Sequence, residues 1–341
     1  MWSPWCGPGR KRLVWVLGCL VLLLAIVLEV DTSVTYQAKE YCLGTWGSGD
    51  REFGLLKGRD GFQYGPLCFA VGPSRELVIP DVPNKRFVIV RFSPEEISDY
   101  TYTPIAAVKQ VSCLEMLDDG SLCYSEPLGD KVWFYRGSGL HENVVLDAGN
   151  RDCLHSVEFL GDAGKGRLWV VESLWSERTL ERLIWLLEPA SGKRRLVARY
   201  GPGQEALVSA VSEPGTGSLV VQLGGPESAA QKICAFDVSG TLKWQRGVGT
   251  PDGAYVKLVG ADSDGYCYLI DTQVDCVRVL RVDKSGLVLN RLSVSNPPSG
   301  LRPLVCRVDP AGAIYLVQPR QQGLYLVWFK PSSRMRITIS R

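Results

Sequence analysis

The sequence predicts an all-β protein, a six-bladed β-propeller with an N-terminal transmembrane helix. A pattern recurs six times from about residue 67 to the C-terminus: an apolar strand, a tight turn, and a second strand that usually opens with Gly-x-apolar. The aligned apolar positions are 45, 46, 51, 48 and 47 residues apart, and they are Leu77, Leu122, Leu168, Leu219, Cys267 and Ile314. A period of about 45 residues with four short strands per unit is typical of propeller blades rather than helical solenoids.

The composition and charge of the chain argue against some classes of partner and site. Its 341 residues include 36 Gly and 20 Pro, which suits a fold with many turns. With 38 basic and 36 acidic residues the net charge is only +2. Because binding to phosphate backbones needs a concentrated basic face, we expect no nucleic-acid partner. Only two histidines occur, so few residues are present for metal sites or catalysis that use imidazole.

The N-terminal segment has the pattern of a membrane anchor. Leu13 to Val30 spans eighteen residues, uncharged as far as Leu28, and as a helix it would be roughly 27 Å long. Basic residues 10–12 precede it and acidic residues follow, which predicts a cytoplasmic N-terminus (residues 1–12) and a propeller outside the plasma membrane. A cleaved signal peptide is the alternative, but no small-x-small site follows Leu28.

The sequence contains two candidates for the strand that closes the ring and does not decide between them. We predict a linker at 31–57 and the propeller at 58–341. Val34 to Cys42 has a strand pattern and would fit as the outer strand of the last blade. Arg336 to Arg341 reads equally well as the fourth strand of that blade, and both segments cannot fill one position.

Nine cysteines lie beyond the anchor, an odd number without a C-x-x-C spacing. Most fall in predicted strands, where a thiol behaves as a small buried apolar group. Cys68 and Cys113 lie at the same offset, nine residues before Leu77 and Leu122. We interpret the cysteines as structural and mostly reduced, with room for one disulfide.

The connections predict two different faces. First-to-second and third-to-fourth turns, such as Asp262-Ser263-Asp264-Gly265, are short and rich in Gly, and they define a short-turn face. Second-to-third connections and blade-to-blade crossings define a longer-loop face; examples are Leu174 to Glu181 and Leu223 to Gln231. Because binding residues concentrate on loops held by a rigid scaffold, we expect the longer-loop face to be the working face.

The first blade carries a family resemblance. Its motif elements are Trp46-Gly47-Ser48-Gly49-Asp50, Phe53, Pro66, Val71, Leu77-Val78-Ile79-Pro80-Asp81 and Asn84-Lys85-Arg86-Phe87. This stretch resembles an NHL repeat, and the chain is similar to the six-bladed superfamily that holds NHL and TolB-like propellers. The later blades lack the Asn-x-Arg step. That superfamily has adhesive, scaffolding, sensory and a few catalytic members, so the resemblance implies the fold and leaves function open.

Carboxylates recur at the ends of the second strands. Four residues after the aligned positions come Asp81, Glu126, Glu172 and Asp271, with Leu223 and Gln318 in the other two blades. One interpretation is a carboxylate ring that holds a divalent cation at the channel mouth. The other is that each carboxylate accepts N–H bonds in its own turn, as the NHL Asp does. Cofactors are otherwise not indicated.

Two further groups are candidates for contact with a partner. Trp175, Glu177 and Arg178 place an aromatic ring beside charges in a predicted longer loop, a composition typical of interface anchors. Arg320 would lie on the same face. A solvated loop whose Trp folds back onto the disc is the alternative. Cys153 and His155 are two residues apart on one strand, and we interpret His155 as structural.

Two functions follow from these patterns. The first is a membrane-anchored, extracytoplasmic and non-catalytic module that binds a protein or cell-envelope polymer. The second is a metal-dependent propeller enzyme of the lactonase or lyase kind. No sequence signature of a known catalytic set stands out, so the first is preferred.

Overall fold

Residues 38–330 form one structural unit. It is a six-bladed β-propeller, which is the fold class that the sequence predicts. The computed structural model describes residues 28–339 except 58–62, 94–95, 106–108, 137–139, 147–152, 178, 225–230, 249–255, 274–275, 284 and 296–304. Five blades are antiparallel four-stranded meanders, and the sixth is a five-stranded sheet. The first strands of all six blades line a central channel.

The strands before blade one are β1 (Leu28–Trp46), β2 (Glu52–Phe53), β3 (Leu56–Lys57) and β4 (Gln63–Tyr64). Blade one contains β5 (Ala70–Val71), β6 (Leu77–Asp81), β7 (Arg86–Phe92) and β8 (Ile97–Pro104). Blade two contains β9 (Cys113–Met116), β10 (Leu122–Ser125), β11 (Lys131–Arg136) and β12 (Leu140–Val145). Blade three contains β13 (Leu154–Gly164), β14 (Arg167–Trp175), β15 (Leu180–Glu188) and β16 (Lys193–Tyr200). Blades four to six contain β17 (Leu207–Glu213), β18 (Ser218–Leu223), β19 (Gln231–Phe236), β20 (Leu242–Val248); β21 (Lys257–Ala261), β22 (Cys267–Thr272), β23 (Cys276–Val282), β24 (Val288–Ser295); and β25 (Val305–Val308), β26 (Ile314–Arg320) and β27 (Gly323–Ile339). A 3₁₀ turn spans Val82–Asn84.

Asp and Gly build the tight turns of the short-turn face. Asp309 Oδ1 accepts hydrogen bonds from the N–H groups of Ala311 and Ala313, at 2.9 and 2.8 Å. Gly312 in the same turn has a φ of 79°, a left-handed conformation that glycine adopts without Cβ strain. The same arrangement recurs around Asp262. The repeated Gly of the sequence is therefore a requirement of these turns.

Strand β1 closes the ring. The sixth sheet has the order β2-β1-β27-β26-β25, so β1 is the fourth strand of blade six. Of the two segments that the sequence offered, Val34 to Cys42 lies in β1, whereas residues 336–339 continue β27. Arg320 forms a bidentate ion pair with Glu40, at 2.8 and 2.7 Å. Trp46 Nε1 donates to the carbonyl of Arg320 at 2.7 Å, which further fixes β1 to the blade.

A smaller unit comprises residues 1–37 and 331–341. Its described residues are the opening part of β1 and the closing part of β27, which are neighbours in one sheet. There Thr35 Oγ1 and Ser332 Oγ lie 2.8 Å apart.

Most of the predicted transmembrane helix, residues 13–27, lies outside the described residues, as does the predicted cytoplasmic tail. Residues 28–30, which we expected to end that helix, instead begin strand β1. Within the part of the chain that the structure describes, no helix is long and apolar enough to cross a membrane.

Large aromatic side chains fill the spaces between blades. Trp328 stacks on Tyr315, with ring centroids 5.7 Å apart, where blades six and one meet. Phe87 meets Tyr124 edge-on at 5.4 Å between blades one and two. Trp169 is fully buried and donates to the Gly217 carbonyl of the next blade at 2.9 Å. This packing makes the disc rigid, so that ligands meet its faces, rim and channel.

Candidate functional site

Both carboxylate oxygens of Asp81 accept hydrogen bonds from nearby residues. Asp81 ends β6 and is 1% exposed. Its Oδ1 accepts a bond from Gly54 N at 2.9 Å, and its Oδ2 accepts bonds from Asn84 Nδ2 at 2.8 Å and Arg86 Nε at 3.0 Å. Both carboxylate oxygens are therefore occupied, one by the backbone N–H of Gly54 and the other by two side chains that follow Asp81 in sequence.

Glu172 joins two residues that the sequence left separate. It is completely buried in β14. Its Oε1 lies 2.7 Å from His155 Nδ1, and its Oε2 accepts a bond from Trp185 Nε1 at 2.9 Å. His155 and Glu172 thus form a hydrogen-bonded pair within blade three.

The other two predicted metal ligands also have local partners. Glu126 Oε2 accepts a bond from Lys109 N at 3.3 Å. Asp271 Oδ2 accepts one from Gln273 Nε2 at 3.0 Å and lies 3.9 Å from Arg278 Nη1. Neither contact directs the carboxylate toward the other blades.

The four carboxylates do not come together. No hydrogen bond between described residues joins any two of them. Over the same residues, no three His, Cys, Asp or Glu side chains form a group that could hold a metal ion. A cation at these positions would have to displace the N–H donors already bound, so this donor set does not fit the predicted ring.

The predicted binding residues are likewise dispersed. Trp175 is 44% exposed at the end of β14 and Glu177 is exposed beside it, while Arg178 lies outside the described residues. The connection is shorter than expected, because Trp175 already pairs with Leu180 of the next strand. Arg320 belongs to blade six, which lies opposite blade three with two blades between them on either side, and it pairs there with Glu40.

The central channel provides the main cavity. On the longer-loop face it widens to about 740 Å³, lined by the opening residues of first strands and by Thr272 at the end of β22. We call this the wide cavity. A second cavity of about 470 Å³ opens among the turns of the short-turn face. Phe159, Val211, Val259 and Arg307 line both and form the waist between them.

Two charged side chains occupy equivalent positions on the first strands, Arg307 at the waist and Glu115 in the second cavity. Arg307 of β25 pairs with Tyr315, and Glu115 of β9 pairs with Cys123, so each faces the residue after an aligned apolar position. The corresponding residue in blade five is Gly260. A Cβ there would come within 2.5 Å of Val308 Cβ, so glycine lets the neighbouring first strands approach closely.

Arg307 is fixed across the channel by backbone carbonyls. Its Nε donates to the Phe69 carbonyl of blade one and its Nη2 to the Leu114 carbonyl of blade two, both at 3.2 Å. These two donors share one edge of the guanidinium plane. The other edge, which includes Nη1, makes no hydrogen bond to any residue that the structure describes.

The wide cavity contains neutral thiols. Cys68, Cys113 and Cys306 line it from blades one, two and six. Burial raises the pKa of Cys113 to about 11 and that of Cys306 to about 12, and it also raises the pKa of Cys68. Nucleophilic cysteine needs the thiolate, so these groups act as apolar lining at neutral pH.

The second cavity is acidic. Five carboxylates line it together with Arg307: Glu115, Asp118, Asp162, Glu213 and Asp309. Burial raises the pKa of Glu115 to about 7, against the opposing effect of the Arg307 charge. Burial also raises the pKa of Asp162, and the adjacent Asp118 contributes in the same direction. We call this the acidic cavity.

The sequence carried a signal for these channel residues. Arg307 and Glu115 each lie seven residues before an aligned apolar position, Ile314 and Leu122. Cys68 and Cys113, which we noted for their shared offset, lie two residues further back. Aligning the first strands as well as the second strands would have identified the waist.

Comparison with known proteins supports the fold. No family model and no curated protein matches the chain. Solved structures do match: a gluconolactonase from Xanthomonas campestris has 16% identity and a TM-score of 0.55, covering 89% of this chain and 96% of that one. A virginiamycin B lyase from Staphylococcus aureus has 11% identity and a TM-score of 0.51, covering 87% and 99%. Regucalcin from Agrobacterium tumefaciens, described as a calcium-binding protein, has 14% identity and a TM-score of 0.52, covering 81% and 95%. At these identities the likeness is one of fold, and this chain is a six-bladed propeller with structural neighbours among these proteins.

Proposed function

We propose that this protein is a non-catalytic binding module whose longer-loop face takes a protein or cell-envelope ligand at the wide cavity. A helix within residues 13–27, which precede strand β1, would hold it at the plasma membrane, with the N-terminus in the cytoplasm and the disc outside. The observation that supports the proposal is the 740 Å³ cavity built by first strands of the blades and open on that face. Its size is within the range of about 300–1,000 Å³ that is usual for ligand sites.

The chemistry of the cavity favours binding over catalysis. Its thiols are protonated at neutral pH, and Glu158 is neutralised by Arg182, whose Nε lies 2.8 Å from Glu158 Oε2. His155, which could serve as a general base, is not among the lining residues and is bonded to Glu172. General acid–base and nucleophilic catalysis both need an activated group within reach of the ligand.

Site-specific photocrosslinking tests the working face. A photoreactive phenylalanine analogue at Thr272, exposed at the wide cavity, should capture a partner from native membranes when the full-length protein is used. The same analogue at Ser285, exposed on the short-turn face, is the matched control. Capture from Ser285 but not from Thr272 would contradict the proposal. Protease that reaches the disc only after cell lysis would contradict the topology.

A metal-dependent enzyme is the second candidate, because regucalcin and the virginiamycin B lyase share the fold. It predicts a divalent cation in protein purified without chelator. Elemental analysis of the wild type and of the variants Asp81→Asn, Glu172→Gln and Asp271→Asn tests it. Bound cation that disappears in these variants would favour the enzyme, whereas metal content unaffected by them would remove these carboxylates as ligands.

A further inference from the structure

We propose that the wide cavity recognises a pair of neighbouring carboxylates on its protein or cell-envelope ligand, with Arg307 as their anchor and Lys257 as the second cationic contact; succinate is the probe for this chemistry. This inference rests on the proposed binding function and names the chemical class of the ligand.

The orientation of Arg307 is the first support. The carbonyls of Phe69 and Leu114 hold one edge of its guanidinium group. That edge uses two of the five N–H donors of an arginine. Of the three remaining N–H groups, one on Nη1 and one on Nη2 point in parallel from the end of the planar group, a pair that can bind a carboxylate in a bidentate manner. A guanidinium already fixed in place loses little conformational freedom when the ligand arrives.

The balance of charge in the cavity is the second support. Arg182, Lys257, Arg307 and Glu158 are the charged residues that line it. Arg182 and Glu158 form an ion pair with each other, at 2.8 and 3.4 Å. Lys257 is exposed, and its side chain makes no hydrogen bond or ion pair within the described part of the chain. Two positive charges are therefore left without a negative partner in this cavity, and they match two carboxylates.

The acidic cavity sets the position of the ligand. Arg307 is at the waist, with five carboxylates on its short-turn side and Lys257 on its longer-loop side. An anion that contacts Arg307 is repelled by the carboxylates and attracted by Lys257. The neutral thiols of Cys113 and Cys306 do not oppose it. The ligand would consequently remain in the wide cavity and would not pass through the channel.

Isothermal titration calorimetry with succinate tests this inference on the full-length protein in detergent. Succinamide, which has a similar shape but no charge, and acetate, which carries one carboxylate, are the comparison ligands. We expect succinate to bind most tightly, acetate weakly and succinamide not at all. Arg307→Gln should weaken succinate binding at least about tenfold, and Lys257→Gln about three- to tenfold, as expected for losing a charged contact. Arg291→Gln, a change to an exposed arginine of β24, should leave the affinity unchanged.

Lys257→Gln keeps the test valid if Arg307→Gln folds poorly, because the Lys257 side chain makes no hydrogen bond or ion pair with a described residue, and its backbone pairing with Ile270 is kept in the variant. Succinate affinity that is equal in the wild type and in Lys257→Gln would overturn the inference. So would succinamide or inorganic phosphate binding as tightly as succinate. If Thr272 still captures a partner while succinate fails to bind, the ligand class is wrong and the binding function stands; if neither occurs, both fail.

Discussion

Arg307 of the sixth blade donates a hydrogen bond to the carbonyl oxygen of Leu114 in the second blade, at 3.2 Å. A second bond reaches the carbonyl of Phe69, before the first strand of blade one. One side chain thus contacts the inner edges of two other blades. These edges expose backbone groups that no neighbouring strand pairs, so Arg307 satisfies acceptors that would otherwise depend on water.

Glu115 should make stability depend on pH. Burial raises its pKa from 4.5 to about 7, so the folded state keeps a proton that the unfolded chain releases near 4.5. The stability associated with this proton is fully present below pH 4.5 and is lost as the pH rises through 7. Between pH 5 and pH 8, the free energy of unfolding of Glu115→Gln should therefore rise by about 1–2 kcal/mol relative to that of the wild type. This is less than the full pKa shift implies, because the Glu115 side chain is partly exposed.

Urea unfolding of both proteins at the two pH values measures this difference. Asp162 and Arg307, which face Glu115, are present in both proteins and cancel in the comparison. An equal gap between the proteins at pH 5 and pH 8 would show that Glu115 titrates normally.

The pair of Glu40 and Arg320 should stabilise ring closure modestly. Glu40→Gln should lower the free energy of unfolding by about 0.5–1 kcal/mol at neutral pH, the magnitude of a well-formed pair at the surface. The hydrogen bond from Arg320 lowers the pKa of Glu40 below 4.5. The stabilisation by this pair is therefore present above pH 4.5 and is lost as the pH falls through the lowered pKa of Glu40. Chemical denaturation across this range checks both statements, with the exposed Glu177→Gln as the control; a loss that persists at the acidic end would contradict the assignment.

The channel thiols should resist alkylation. With a pKa of about 11 for Cys113 and about 12 for Cys306, at pH 8 the thiolate fractions are on the order of one in a thousand or less. Iodoacetamide should label the exposed Cys42 first, and the channel thiols only after denaturation. Mass spectrometry of tryptic peptides reads out each site. Native labelling of Cys113 at the rate of Cys42 would show that the thiol is ionised.

Removing Glu172 should destabilise the fold strongly. Glu172→Ala leaves His155 and Trp185 without their bonds in a fully buried site, which should cost about 3 kcal/mol. Glu126→Ala is the matched control, because that half-buried side chain accepts a single 3.3 Å bond; its cost should be below about 1 kcal/mol. Thermal and urea unfolding compare the two variants. Equal effects would mean that the contacts of Glu172 contribute little.

The blades were predictable because their second strands are local. Each is a short apolar run that follows a turn with Asp or Gly, and those residues act on the backbone within a few positions, as Asp309 and Gly312 do. Period and turn chemistry therefore suffice to identify the repeat.

The site was harder to predict because its contacts join distant parts of the chain. Asp81 receives a bond from Gly54, and Glu172 one from His155, so spacing within the second strands cannot show that these carboxylates are already occupied. The closing strand posed the same problem, since only pairing with β27 distinguishes β1 from its rival. Arg307 was missed because its first strand has only four residues, too few for a clear alternation.

Crystals of the protein grown with succinate would show directly where the dicarboxylate binds. We expect electron density for one carboxylate against Nη1 and Nη2 of Arg307, on the side of Lys257, and for the second carboxylate within reach of the Lys257 ammonium. An empty channel in crystals grown at a succinate concentration that saturates the protein in solution, or succinate bound elsewhere on the disc, would contradict this expectation.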